Sequence, residues 1–411
     1  MRAPHPAVSP AYTKRPWWGR PVAAAGPMVD QAIRMRELEI SGIRKMFEMA
    51  GKDAINFGIG EPDFQPPDFV IEAYARAMRE GKNNYGPSSG IPELRSAIAE
   101  KERHRFPDIK PEHVIVTTGS TSGLYAALAS YINPGDEVLI PNPGFVLYRP
   151  HTFLVGGVPV EYPLRKEFHY RPRVDDLRAL VTPRTKAIIV NSPGNPTGAC
   201  LREKDVQYIV EFAREHNLLL ITDEAYDTIV YERPHATFLG KYENTIYLNT
   251  FSKTYAMTGW RIGYIVAGTS ELADPMKRMN YHMVACPPTP TQYACLAALN
   301  GPQDFVQGMV QTFKDRRDLI VKLVKDIPGL DIVKPEGAFY AFCSYEHDVD
   351  CKALAMAILR AGAVVVPGDA FGSGGADHIR FSYATSESNI VEGMRRVKTV
   401  FEKLEKGEKV A

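Results

Sequence analysis

Between residues 114 and 268 the chain alternates short, continuous apolar runs with longer stretches of helical spacing. Runs of β-branched residues and leucine without polar alternation are typical of strands that are buried on both faces. The pattern therefore predicts the α/β class, with a mostly parallel sheet covered by helices. The runs occupy residues 114–116, 138–140, 187–190, 218–221, 246–248 and 263–266.

The segments on either side of this region predict a second, smaller α+β domain. The chain has 411 residues, and a single hydrophobic core usually stops growing at roughly 250–300 residues. We predict a flexible arm at 1–27, part of the smaller domain at 28–65, the large domain at 66–304, and the rest of the smaller domain at 305–411. Predicted outer elements are helical pieces within 31–49, helices at 67–80, 92–105, 305–326 and 352–361, a closing helix from 387, and extended segments at 363–367 and 378–383.

Four of the apolar runs end in polar or glycine-rich residues, at 117–121, 191–196, 222–226 and 250–253. In an open parallel sheet, ligands bind in the crevice outside the carboxyl ends of the strands. We therefore expect these four segments to converge on one site.

Lys253 lies where one of these strands ends, and it is a candidate amine nucleophile. Ser252 directly precedes it and Arg261 follows eight positions later, which supplies a hydroxyl and a fixed positive charge for a phosphate. This combination favours a lysine that forms a Schiff base with a phosphorylated aldehyde cofactor.

Composition excludes several other functions. The net charge of +1 provides no basic surface for nucleic acid, and no apolar stretch approaches the ~18 residues of a membrane span. The five cysteines never form a Cys-x-x-Cys pair, so we predict a cytoplasmic protein with no metal site. Gly58 and Gly60 begin a dinucleotide-like pattern, but Asp63 replaces its third glycine and Pro62 prevents a helix there.

Residues 191–198, 223–226, 252–253 with 257–263, and 380–384 resemble, in this order, the signature segments of class I/II aminotransferases, which are fold type I pyridoxal 5′-phosphate enzymes. The resemblance extends from about Ile40 to the last helix and is greatest to prokaryotic aspartate and aromatic aminotransferases. It implies a large, mostly parallel, seven-stranded sheet domain, a smaller α+β domain, and a homodimer that shares its active sites between subunits.

The resemblance implies a role for each candidate residue. Lys253 would hold the cofactor and move the substrate proton, Asp223 would pair with the ring nitrogen, and Arg380 would bind the substrate α-carboxylate through its planar fork. Exposed amides of a helix expected to begin near Ser122 would favour the phosphate. The phosphate would contact Gly119, Ser120, Thr121, Ser252, Arg261 and Tyr85 of the partner subunit. The cofactor ring would contact Phe145, Asn195 and Tyr226. The substrate would contact Gly60, Phe145 and Asn195.

Each role has a structural alternative. Lys253 would otherwise be a solvated surface lysine, Asp223 a helix N-cap or a loop aspartate with Glu224 as a structural neighbour, and Arg380 a salt-bridge arginine. Asn195 and Tyr85 would be turn residues, and Phe145 a core aromatic.

The implied reaction moves the amino group of an L-amino acid to 2-oxoglutarate or a similar 2-oxo acid by a ping-pong mechanism. Thr121 stands where some bacterial aspartate enzymes have a lysine for the side-chain carboxylate, so aspartate, aromatic and broad specificity are all open. Arg149 or Arg165 could supply the missing charge. The alternatives are an alanine or branched-chain aminotransferase, or a lyase that acts on carbon–sulfur or carbon–carbon bonds on the same scaffold.

Overall fold

The computed structural model describes residues 31–32, 34–35, 38, 51 and 53–408. The predicted arm at 1–27 and most of the helical spacing predicted within 31–49 lie outside the described residues. The strands are β1 (Ile55–Asn56), β2 (Val114–Thr117), β3 (Glu137–Asn142), β4 (Val158–Pro163), β5 (Thr185–Asn191), β6 (Leu219–Asp223), β7 (Thr245–Thr250), β8 (Gly263–Ala267), β9 (Leu330–Ile332), β10 (Tyr340–Tyr345), β11 (Ala363–Val364), β12 (Val366–Pro367) and β13 (His378–Ser382).

The helices cover the sheets and begin and end near their predicted positions. Terminal residues differ from the prediction by at most three positions, which is the usual uncertainty at frayed helix ends. The α-helices are α1 (Asp68–Arg79), α2 (Pro92–Glu102), α3 (Ser120–Tyr131), α4 (Tyr148–Leu154), α5 (Val174–Arg178), α6 (Glu203–Glu215), α7 (Phe251–Thr254), α8 (Ser270–Val284), α9 (Thr289–Asn300), α10 (Asp304–Lys325), α11 (Cys351–Arg360) and α12 (Glu387–Glu405).

A seven-stranded sheet forms the centre of the molecule, in the order β2-β8-β7-β6-β5-β3-β4. β8 pairs antiparallel with both of its neighbours, and the other pairs are parallel. Helices cover both faces: Ile115 packs with α3 and α8, whereas Val114 and Val116 pack on the opposite face with α2 and α9. All six predicted runs are strands of this sheet, which confirms the α/β prediction.

The sequence pattern missed β4, the strand at one edge of the sheet. Its residues are mostly half-buried, and two prolines and a glutamate interrupt the apolar pattern. An edge strand needs apolar residues on fewer positions than a central strand, so it lacks the continuous run that identified its neighbours.

The carboxyl-terminal part contains a smaller antiparallel sheet in the order β12-β13-β10-β9. β1 pairs in parallel with β11, and Phe57 packs in the same apolar cluster as α10, α11 and α12. This packing is consistent with a smaller domain that combines both ends of the chain, although its exact boundaries stay a prediction. Among the described residues, no helix has the length and apolarity needed to cross a membrane.

Candidate active site

A cavity of about 420 Å³ opens at the carboxyl ends of β2, β5, β6 and β7. The four polar segments predicted to converge all contribute to its wall, so the strand-end prediction is confirmed. Twelve of the sequence-predicted site residues line the cavity: Gly60, Gly119, Ser120, Thr121, Phe145, Asn195, Asp223, Tyr226, Ser252, Lys253, Arg261 and Arg380.

Lys253 projects into this cavity from α7, the single helical turn that follows β7. The side chain of Thr250 caps this turn by accepting a hydrogen bond from the Ser252 amide at 3.1 Å. The Lys253 Nζ donates to the Gly60 carbonyl oxygen at 2.5 Å. Burial lowers the pKa of Lys253 to about 8; the charges of Arg261 and Arg380 add to this effect, and the carboxylate of Glu61 opposes it. The lowered pKa increases the fraction of neutral, nucleophilic amine near physiological pH relative to a solvent-exposed lysine.

Asp223 is the last residue of β6, and its carboxylate is buried beside the cavity. Burial raises its pKa, while hydrogen bonds from the Tyr148 hydroxyl at 2.8 Å and the Ala225 amide at 3.3 Å oppose that rise. No helix begins after Asp223, so the N-cap alternative is wrong. Glu224 has a structural role, because its carboxylate bonds the His235 ring and the Phe238 amide.

Arg380 lies in the middle of β13 and is nearly fully buried. Its two terminal nitrogens donate to the Asn195 side-chain oxygen at 3.0 Å and to the Gly58 carbonyl at 2.6 Å. The rings of Tyr340 and Phe371 lie 4.5 Å and 4.9 Å from the guanidinium carbon. Within residues 53–408 it forms no ion pair, and its Nε has no hydrogen-bond partner there, which disfavours the salt-bridge alternative. A buried guanidinium that faces a cavity without a carboxylate partner is suited to an anionic ligand.

A second potential anion-binding site lies at the amino terminus of α3. The helix begins at Ser120 rather than near Ser122 as predicted, and Gly119, with a φ of 86°, is its N-cap residue. Arg261 lies directly over Gly119: a Cβ at this glycine would be 2.8 Å from a guanidinium nitrogen. The free amides of the first helical turn, the Ser252 hydroxyl and Arg261 thus surround one end of the cavity and favour a dianion there.

Tyr85 is the one predicted site residue that does not line the cavity of its own chain. Its side chain is 90% exposed in the turn that precedes α2. The assignment of Tyr85 to the site of a partner subunit stays a prediction.

Arg149 and Arg165, considered as charges for a substrate side chain, are directed elsewhere. Arg149 pairs with Glu161, and Arg165 pairs with Asp176 at 2.6 Å. Neither arginine lines the cavity. The expectation that one of them supplies the missing charge is therefore wrong for the cavity as formed by this chain.

The sequence missed several residues that contact or line the site. Tyr148 and Val146 follow the end of β3, a fifth strand that ends at the same edge of the sheet. The strand-end rule applied to β3 would have found them. Tyr340 and Phe371 come from the smaller sheet and its following turn, and no pattern in the sequence connects them to the site.

The chain is similar in sequence to known aminotransferases. Residues 52–397 match the family model for class I and II aminotransferases. A probable aspartate/prephenate aminotransferase of Aquifex aeolicus is 44% identical over 380 residues, which cover 89% of this chain and 96% of the relative. Aromatic-amino-acid aminotransferase 2 of Thermococcus litoralis is 40% identical over 379 residues, 89% of this chain and 97% of the relative.

A solved structure shows the same fold. A single mutant of Thermus thermophilus aspartate aminotransferase superimposes with a TM-score of 0.86 at 35% identity, covering 91% of this chain and all of the other. The family match, the relatives and the shared fold agree with the cavity that the strand ends form. This chain belongs to the class I and II aminotransferases and is an enzyme of that family.

Proposed function

We propose that the protein transfers the amino group of an L-amino acid to a 2-oxo acid such as 2-oxoglutarate, with pyridoxal 5′-phosphate as cofactor and a ping-pong cycle. The observation that carries the proposal is the arrangement of Lys253, Asp223 and Arg380 around one cavity. Within residues 53–408 none of the three forms an ion pair. Burying charged groups without partners is costly, so such groups are typical of ligand sites.

The residues present fit this cofactor. The anion-binding site at the start of α3 suits the phosphate of the cofactor, and Asp223 suits a protonated ring nitrogen. The hydroxyl of Tyr226 and the side-chain amide of Asn195 suit the ring oxygen. Phe145 provides an aromatic face for the ring. When bound, pyridoxal phosphate supplies an aldehyde that reacts reversibly with amines and a cationic ring that accepts electron density.

In the proposed reaction Lys253 acts as the base and acid at the substrate Cα. Its lowered pKa, about 8, makes the neutral amine available near neutral pH. The amine of Lys253 can therefore take the proton from Cα of the substrate and return it at C4′ of the cofactor. Arg380 holds the α-carboxylate bidentately, which fixes the Cα–H bond relative to the lysine. Asp223 would keep the ring nitrogen of the cofactor protonated during the reaction, because a nearby buried carboxylate disfavours loss of that proton.

The rest of the wall favours a broad range of substrate side chains. Ile59, Val146 and Phe371 are apolar, and Thr121 supplies only a hydroxyl. From the described residues of this chain, the wall has no cation beyond Lys253, Arg261 and Arg380. We therefore propose that aromatic donors are accepted as well as aspartate. The names of the Aquifex and Thermococcus relatives include both kinds of substrate.

We also propose that the enzyme is a homodimer in which Tyr85 reaches the phosphate-binding site of the partner subunit. Support comes from the 90% exposure of Tyr85 and the 56% exposure of Tyr281. Large aromatic rings that are exposed in a single chain are typical of a surface that a partner covers.

An amino-donor screen with the purified enzyme and 2-oxoglutarate tests the proposed function. We expect glutamate to form from both aspartate and the aromatic amino acids, with kcat/KM values for the two classes within about tenfold of each other, since an apolar wall discriminates weakly. Turnover of acidic donors alone would contradict the proposed breadth. Release of ammonia and pyruvate without glutamate would instead identify a lyase and contradict the proposal as a whole.

A further inference from the structure

Tyr340 is a buried residue of the cavity wall that contacts several groups of the proposed site. It begins β10, is 1% exposed, and lines the cavity. Its hydroxyl lies 2.8 Å from the Tyr226 hydroxyl, and its ring lies 4.5 Å from the guanidinium carbon of Arg380. One side chain thus joins the residue proposed for the ring oxygen to the residue proposed for the substrate carboxylate.

The register of the smaller sheet explains this position. β10 pairs antiparallel with β13, so that Tyr340 is opposite Ser382 and Phe342 is opposite Arg380. Tyr340 and Arg380 are therefore diagonal neighbours, a separation across which an aromatic ring and a long side chain can still contact each other. The guanidinium has no carboxylate partner within residues 53–408, and the electron-rich ring face partly compensates for that loss.

The neighbouring backbone leaves space for the Tyr340 hydroxyl. A Cβ at Gly60 would be 2.4 Å from the Tyr340 hydroxyl oxygen. The Gly60 carbonyl also accepts the hydrogen bond from Lys253. Glycine at this position thus lets the hydroxyl of Tyr340 approach the segment that contacts the proposed catalytic lysine.

We infer that Tyr340 is a positioning residue that donates a hydrogen bond to Tyr226 and supports the guanidinium of Arg380. The inference rests on the proposed function. Either hydroxyl of the pair can be the donor. Once Tyr226 gives its single hydrogen to the ring oxygen of the cofactor, however, only Tyr340 can donate within the pair. Donation to the Tyr226 oxygen polarises that hydroxyl and strengthens its own hydrogen bond to the ring.

The test of the hydroxyl is a pH titration of the visible absorbance band of the bound cofactor. Tyr340→Phe keeps the ring and removes the hydroxyl. Weaker donation by Tyr226 disfavours the deprotonated state of the cofactor, so the midpoint should move upward by about 0.5 pH unit. In a Tyr226→Phe background the same change should move it by less than about 0.1. Tyr345→Phe is the control, since its hydroxyl bonds carbonyls outside the site.

The test of the ring is steady-state kinetics with Tyr340→Leu. Loss of the cation–π contact should raise KM for the amino donor roughly fivefold to thirtyfold, while Tyr340→Phe should leave KM within about twofold of the wild type. An unchanged midpoint in Tyr340→Phe, an equal shift in the Tyr226→Phe background, or an unchanged KM in Tyr340→Leu would overturn the inference alone. A wild-type protein that binds no such cofactor would overturn the proposed function as well.

Discussion

Replacing Lys253 with alanine is expected to lower kcat on the order of 10⁴-fold, because one side chain provides both the nucleophilic amine and the proton transfer at Cα. The fold should remain intact, since the substitution removes a desolvated amine rather than a packed apolar group. The measurement is steady-state transamination at saturating donor and acceptor, with circular dichroism to confirm that the variant is folded.

Lys241 provides the matched control for Lys253. It lies near the surface and pairs with Glu203, outside the cavity. Such a surface pair contributes at most about 1 kcal/mol to stability, so Lys241→Ala should keep the wild-type kcat. A folded Lys253→Ala protein with kcat within tenfold of the wild type would show that another group moves the proton.

Replacing Arg380 with lysine is expected to lower kcat/KM roughly 10²–10³-fold for both the amino donor and the 2-oxo acid, because a single ammonium cannot form the two parallel hydrogen bonds of a guanidinium. Both substrates carry the same carboxylate, so the two losses should be similar. Initial rates that are measured over a wide range of each substrate give these values.

Arg165→Lys is the control for this substitution. Arg165 pairs with Asp176 away from the cavity, and its replacement should change kcat/KM by no more than about twofold. If Arg380→Lys lowers kcat/KM for only one of the two substrates, a residue other than Arg380 binds the carboxylate that both substrates share.

The site depends on burying charges without neutralising them. Arg380 is 5% exposed and Asp223 is 8% exposed. The neutral donors Tyr148 and Ala225 stabilise the carboxylate of Asp223, whereas Asn195 and Gly58 accept from Arg380. Neutral partners satisfy the hydrogen bonds of these groups while leaving their charge available, so a ligand that bears the opposite charge gains most of the electrostatic energy.

The central part of the fold could be predicted because its strands are buried on both faces. Six apolar runs are strands, and the polar residues that follow four of them line the cavity, since strand direction decides where those ends lie. The antiparallel direction of β8 was not predicted. A continuous apolar run predicts a buried strand but not whether the strand is parallel or antiparallel to its neighbours. That direction depends on the segment that connects the strands and on which strands pair.

The contribution of the smaller sheet could not be predicted, because it depends on contacts between distant parts of the chain. Tyr340 and Tyr226 are separated by 114 positions, and their hydroxyl contact follows from the docking of one sheet against the other. Likewise, the partners of Arg149 and Arg165 are set by local strand and helix positions that the sequence pattern does not specify. Side-chain pairing of this kind needs the tertiary structure.

The most direct test of Lys253 as the cofactor lysine is reduction of the purified protein with sodium borohydride, followed by proteolysis and mass spectrometry. We predict the added mass of reduced pyridoxal phosphate on the peptide that contains Lys253, and its absence from Lys253→Ala. An adduct on a different lysine, or no adduct in a preparation that still transaminates, would contradict the role proposed for Lys253.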